Sequence, residues 1–468
     1  MTTERRLADG IVAALASLQI PIELQEVQLV RPVRPEHGDW STNAALVVAK
    51  SAGRAPREVA GDLAAVLQAA SMDDVVAVEV AGPGFVNFRL ANSWLHQALR
   101  EVIEAGTKSY ATPELGGGER VQIEFVSANP TGPLHVGNGW LGSYGDALGR
   151  VMSRCGWKVK REFYVNDTGG QIRLLGESLL ARRRGEVVPE EGYQGEYVTQ
   201  LAQDYEGSDD IVEAGRFASE AILRNIRATL DRLDIRFDDW YSQASIEESG
   251  QVAETIEIFR QRGLVYEADG AIWLRSTEVG DSRDRVLIRT NGDVTYLAGD
   301  LAYHRDKFLV RKFDRVIDIF GADHHGQVAS LKAGVAALGI ESDKLEIRLG
   351  QLVNIVGRRM SKRSGNFIKL DSVIDEMGAD ATRLLSLLNS IDQATTLDLE
   401  LVKRRSMENP VFYVQYAHAR IASIDRKRRE RGIERIPISE AKLGLLVHDR
   451  ELELMRCLVD LPLSLIHI

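Results

Sequence analysis

The sequence predicts an α/β protein: a parallel sheet flanked by helices, preceded by a small α+β unit and followed by an all-α region. Three observations carry this. After the glycine run Gly116 to Gly118, short apolar strands alternate with helical stretches, as in "RVQIEFV", "LGSYGDALGRVMSRCG" and "KVKREFYVND", the pattern of strand–helix–strand units. Before that run, the helix-like "RRLADGIVAALASL" mixes with the strand-like "EVQLVRP" and "VAVEVAGPGFVNFRL". From about Asn409 onward nearly every stretch reads as helix.

In chain order this gives three regions. Residues 1–112 form the α+β unit, whose last strand-like stretch is bounded by the turn "AGPG". Residues 113–400 carry the sheet, with later strands in "DRVIDIFGADHH" and "LEIRLGQLVNIV", each reaching a polar tip. Between about 181 and 240 the pattern is helical and heavily charged, which predicts an insertion rather than another sheet unit. Residues 401–468 form the helical region. A length of 468 residues agrees with several domains, since one hydrophobic core seldom organises that much chain.

Composition sets the class. The chain is 44% hydrophobic and 27% charged, with no apolar run long enough to span a bilayer, so a membrane protein is not expected. The opening "MTTERRLADG" lacks a signal-type apolar core. Two cysteines, Cys155 and Cys457, stand far apart without a CxxC partner, which argues against a disulfide framework and a structural zinc site. A reducing cytoplasm and a monomer are expected. The net charge of −10 argues against a protein that coats nucleic acid by charge alone, although Lys403 to Arg405 and "DRKRRERGIER" are locally basic.

One stretch, "EFVSANPTGPLHVGN", holds the first candidate site. A strand running into Asn129-Pro130-Thr131-Gly132-Pro133 must turn, because proline cannot donate to a sheet ladder. His135 and Asn138 then fall three residues apart, on one face of the next helix. A helix start beyond the end of a strand attracts anions through its free N–H groups, and Gly137 allows close approach to the backbone. A second stretch, "GRRMSKRSGNFIKL", sets Ser361, Ser364 and Gly365 among cations, a turn-prone loop able to bring Lys362 onto a phosphate.

Taken together, these two stretches resemble the signature motifs of class I aminoacyl-tRNA synthetases, HIGH and KMSKS. The similarity is more specific to arginyl-tRNA synthetases: "FYVNDTGGQI", "RVLIRTNGDVTYLAGDLAYHRDKF" and "FGADHHGQ" also resemble segments of that family, in its order. "HGDWSTNAALVVAK" is similar to its additional N-terminal tRNA-contacting domain, and "NPVFYVQYAHARIASI" to the start of its helical anticodon-binding domain. Three departures stand out. Asn138 replaces the second histidine of HIGH, Arg359 and Arg363 replace outer residues of KMSKS, and the helical domain ends early, at "LSLIHI", which reads as a truncated product.

The resemblance implies a Rossmann-type catalytic domain and ATP-dependent attachment of L-arginine to tRNA(Arg) through an arginyl-adenylate, with Mg²⁺ on the phosphates and tRNA required for activation. It implies catalytic roles for His135, Asn138 and Lys362. ATP would be held by Gly137, His324, Met360, Ser361 and Lys362. Arginine would be held by Glu124, Ser127, Asn129, Tyr296, Asp300 and Gln327, with Asp300 as the carboxylate facing the guanidinium, whose planar donors demand acceptors. The adjacent histidines of "GADHHG" do not suit one metal ion, and either of them could face the nucleotide. Two other readings are another adenylyl-transferring enzyme on the same nucleotide-binding fold, and a non-catalytic tRNA-binding relative. The presence of both His135 and Lys362 disfavours the second.

Overall fold

The computed structural model describes residues 3–32, 34–357 and 368–466. Its backbone divides into two compact units, Pro113–Gly432 and Met1–Thr112 with Ile433–Ile468.

The larger unit is built on five parallel strands: β1 (Arg120–Phe125), β2 (Lys158–Val165), β3 (Asp239–Ser242), β4 (Arg315–Gly321) and β5 (Leu345–Gly350), in the order β5-β4-β1-β2-β3. The α/β class expected from strand–helix alternation is therefore present. Because the chain winds outward from β1 in one direction and returns to β4 on its other side, the connections diverge between β1 and β4. In such sheets the crevice beyond the strand ends at this point is where ligands bind.

Helix α1 (Val136–Arg154) follows β1 and covers the apolar face made by Val121, Ile123 and Phe125. Its glycines make the packing possible: a Cβ at Gly145 would stand 2.3 Å from Phe125, and one at Gly139 would stand 2.5 Å from Leu370. Between β2 and β3 lie α2 (Gly170–Arg184), α3 (Glu196–Asp204) and α4 (Ile211–Arg232). The charged helical stretch of 181–240 thus runs directly into a sheet strand, and its buried stripe, with Ile222, Ile226 and Leu230, joins the same core.

A three-stranded antiparallel ribbon, Val265–Ala268, Ala271–Leu274 and Arg285–Ile288, precedes α5 (Tyr296–Arg305), which continues through a wider π-type turn, Asp306–Val310, into β4. After β5, the short strands Val353–Ile355 and Thr395–Leu397 pair in parallel. Between them lie α6 (Leu370–Met377) and α7 (Ala379–Ser386).

The smaller unit is an α+β layer. Four antiparallel strands, in the order Leu29–Val30, Trp40–Thr42, Phe85–Leu90, Val75–Ala81, pack against the helices Thr3–Ser17 and Pro56–Ala69 around Leu7, Ile11, Leu15, Leu63 and Phe88. The helix Asp449–Ile466 lies in this unit too. It inserts Leu452 and Met455 into the same core, and Asp460 accepts from Arg31 Nε at 2.8 Å. The helix Pro410–Glu430 belongs to the larger unit. Helix propensity marks where the all-α stretch starts at the sequence level, whereas complementary apolar stripes decide what each helix packs against.

Candidate active site at the carboxyl ends of two strands

Where β1 ends, the backbone turns through a strained pair. Val126 and Ser127 take φ values of 69° and 34°, a region that a β-branched valine avoids and that surrounding structure must enforce. The turn aims Ser127 back at its own strand: its hydroxyl donates to Glu124 Oε1 at 2.9 Å and accepts from the N–H of Tyr164 on β2 at 3.1 Å. Asn129 is exposed, and its amide donates to Gln171 Oε1 at 2.8 Å.

His135 is the N-cap of α1, where a side chain must satisfy the first free N–H groups. Its Nδ1 accepts from the Asn138 N–H at 3.3 Å, while Asn138 Oδ1 accepts from the His135 N–H at 3.0 Å, a reciprocal capping box. Asn138 is buried and His135 is exposed. Gly137 has a local reason as well: a Cβ there would stand 3.1 Å from His135 Cε1 and Nδ1, so its absence leaves room for the imidazole.

The segment leading into α1 is paired with the chain that follows the basic loop. Val136 N–H donates to Ile368 O at 3.0 Å, Leu370 N–H donates to Leu134 O at 2.8 Å, and His135 faces Lys369 in an antiparallel bridge. Met360, Ser361 and Lys362, with Arg359, Arg363, Ser364 and Gly365, lie outside the described residues. Ile368 and Lys369, where the described chain resumes, are paired beside His135.

From α5, Tyr296 at the first position is exposed and Asp300 lies one turn later on the same face. Asp300 keeps some solvent access while protein crowds most of its sides. Burial pushes its carboxyl up to about 6; His304 and Lys307 oppose the rise, and Glu124 and Asp318 add to it. Beyond β4, the turn Ala322–Gln327 is exposed and brings His324 Nδ1 within 3.1 Å of Gln327 Oε1, with the His324 ring 5.4 Å from that of Phe320. His325 is exposed in the same turn.

The expected site residues thus gather in hydrogen-bonded pairs, Glu124 with Ser127, His135 with Asn138 and His324 with Gln327, around the divergence of β1 and β4. Glu124 differs from a free ligand in one respect. It is buried, and its Oε2 accepts from Lys307 Nζ at 2.7 Å. Lys307 also donates to Asp318 Oδ1 at 2.9 Å, and Asp318 Oδ2 lies 2.8 Å from His304 Nε2. Burial would raise Asp318, but Lys307 and His304 outweigh it and hold the carboxyl near 2. For Glu124 burial prevails over Lys307, and its carboxyl lies above the usual range.

This buried network was missed at the sequence level, although a signal existed. Asp318 in "RVIDIF" and Glu162 in "KREFYV" are acids inside strands of a sheet covered on both faces, and such acids require partners.

Comparison with known proteins agrees with this architecture. The family model described as arginyl tRNA synthetase N terminal domain matches residues 5–90. The model described as tRNA synthetases class I (R), catalytic domain, matches residues 184–423. The arginine–tRNA ligase of Citrifermentans bemidjiense is 44% identical over 460 residues, spanning 94% of this chain and 82% of that relative. The arginine–tRNA ligase of Desulfosudis oleivorans is 42% identical over 465 residues, spanning 94% and 83%. Among solved structures, Thermus thermophilus arginyl-tRNA synthetase superposes with a TM-score of 0.75 at 22% identity, over all of this chain and 87% of that one. At that identity the likeness speaks for the fold.

Proposed function

The chain belongs to the arginyl-tRNA synthetase family, and from that premise we propose how its residues divide the work of joining L-arginine to tRNA(Arg) with ATP through an arginyl-adenylate. In the first step an oxygen of the arginine carboxylate bonds to the α-phosphorus of ATP as the bond to the β-phosphate bridging oxygen breaks, and pyrophosphate leaves. In the second, a terminal ribose hydroxyl of the tRNA takes the arginyl group and AMP leaves. The protein's task is to align the reactants and meet the developing charge.

His135, fixed by its capping box at the positive end of α1, and Lys362 of the basic stretch "GRRMSKRSGNFIKL" meet the phosphates. Asn138 holds the imidazole in place. Gly137, His324, Met360 and Ser361 complete the ATP site. Magnesium enters on the phosphate oxygens as part of the MgATP substrate. Ser127, Asn129, Gln327, Tyr296 and Glu124 surround arginine, and Asp300 receives its guanidinium.

The observation that carries this reading is Asp300. It is a crowded carboxylate at the crevice with which no side-chain cation forms an ion pair among the described residues, while its neighbours Glu124 and Asp318 are both paired with Lys307. A guanidinium supplies what is missing. In this reading residues 1–112 contact tRNA, residues 113–400 catalyse, and the helices from 401 approach the anticodon. The enzyme acts as a cytoplasmic monomer. Among the described residues no helix is long and apolar enough to cross a membrane. The test is arginine-dependent ATP–pyrophosphate exchange with and without tRNA(Arg). Exchange should require both arginine and tRNA; equal exchange with citrulline would sink the assignment.

A further inference from the structure

The sheet face opposite α1 carries a row of acids. Strand pairing sets Asp318, Glu124 and Glu162 side by side on β4, β1 and β2, one strand spacing of roughly 4.8 Å apart. All three are buried. Like charges this close repel strongly in a protein interior unless cations stand between them.

Two cations do so, and both come from the turn after α5. Arg311 donates through both terminal nitrogens to the Glu162 carboxylate, which Tyr303 and Gln122 also bond. Lys307, wholly buried, spends two of its donors on Glu124 Oε2 and Asp318 Oδ1, and its ammonium lies 4.2 Å from the centre of the Tyr303 ring. His304, one turn after Asp300, has its Nδ1 2.7 Å from the Asp300 carbonyl and its Nε2 on Asp318. The helix that presents Asp300 is therefore fastened to the strands at its C-terminal end, through Lys307 and His304.

We infer that Lys307 is the positioning residue of the arginine pocket: its single ammonium ties the strand bearing Glu124, and through it Ser127, to the helix bearing Asp300. The inference rests on the reading of Asp300 as the guanidinium carboxylate. Lys307 touches no reacting atom. It neutralises the acids behind the pocket, leaving Asp300 as the carboxylate for the incoming cation. It also holds Glu124 Oε2, so that Oε1 stays on Ser127. Without the ammonium, Glu124 and Asp318 share no counterion, the Glu124–Ser127 pair loosens, and arginine is received less well, whereas the ATP side at α1 is untouched.

The test compares the parent chain with Lys307→Met and with Lys307→Met/Asp318→Asn, which removes one cation and one acid together and keeps the charge balance. Dissociation constants for arginine, citrulline and ATP are measured by calorimetry on chains shown to be folded, with Asp300→Asn as control. The expected result is arginine affinity reduced tenfold or more in the double variant, a smaller preference for arginine over citrulline, and ATP affinity within twofold of the parent. Arginine affinity within twofold of the parent overturns the inference. So does an equal loss for arginine and ATP, or failure of both variants to fold, because Lys307 would then serve stability alone. If Asp300→Asn binds arginine as the parent does, or the parent binds none, the underlying reading fails instead.

Discussion

The backbone N–H of Val136 donates to the carbonyl oxygen of Ile368 at 3.0 Å, joining the first turn of the helix after β1 to the chain that leaves the basic loop. Residues more than two hundred positions apart are thereby held as one edge of the site.

The first prediction concerns that edge. His135→Ala and Lys362→Ala should each reduce pyrophosphate exchange by about 10²- to 10³-fold, the usual cost of removing one preorganised donor to a developing charge. His135→Ala also loses a cap, costing about 1 kcal/mol of stability. A melting curve separates the two effects. Exchange at the parent rate in both variants would remove these residues from catalysis.

The second prediction tests the proposed role of Asp300 in amino acid choice. Asp300→Asn nearly preserves volume and removes the charge, so arginine binding should weaken by roughly 2 to 5 kcal/mol while ATP binding stays near the parent value. Citrulline, neutral and similar in shape, should bind the parent poorly and lose little further affinity in the variant. Calorimetric titration of both ligands decides it.

Burial raises the Asp300 carboxyl to about 6, and two pH effects follow. In its proposed role as partner of the guanidinium, Asp300 must be ionised, so arginine affinity should fall by about tenfold per pH unit as pH drops below 6, and level off above about 7. The stability effect has the opposite sense. The folded state binds this proton more tightly than the unfolded one, so this group's contribution worsens as pH rises from its ordinary value of 3.8 to about 6 and stays unfavourable above. Asp300→Asn should therefore melt higher than the ligand-free parent at about pH 7.5, the difference shrinking towards pH 4.5. An unchanged difference across that range would argue against a raised carboxyl.

Asp146, fully buried in α1, accepts from Arg150 Nε at 2.7 Å, Arg161 Nη1 at 3.2 Å and Arg383 Nη2 at 2.7 Å. It binds α1 to β2 and to α7, downstream of the basic loop. Asp146→Ala should cost about 3 to 5 kcal/mol, since three guanidinium groups lose their shared acceptor. Denaturant unfolding of the variant measures this, and a loss under 1 kcal/mol would mean that solvent replaces the carboxylate.

Much of this protein was determined by its sequence alone. The alternation of strands and helices specified the parallel sheet, because each strand period and helix period is local. The turn formers between Asn129 and Pro133 located the crevice, and the spacing of His135 and Asn138 placed both at a helix start. Spacing also put Tyr296 and Asp300 on one helical face. What only the tertiary structure decided is pairing across long separations. That Lys307 lies between Glu124 and Asp318 depends on β1 and β4 being neighbours in a register that aligns those two acids, and no local pattern encodes strand order. That Ile368 meets Val136, and that Asp449–Ile466 packs with the N-terminal strands, are likewise set by which buried surfaces fit together. Local propensity chooses each element's shape; desolvation of charge and apolar area in the assembled fold chooses its partners.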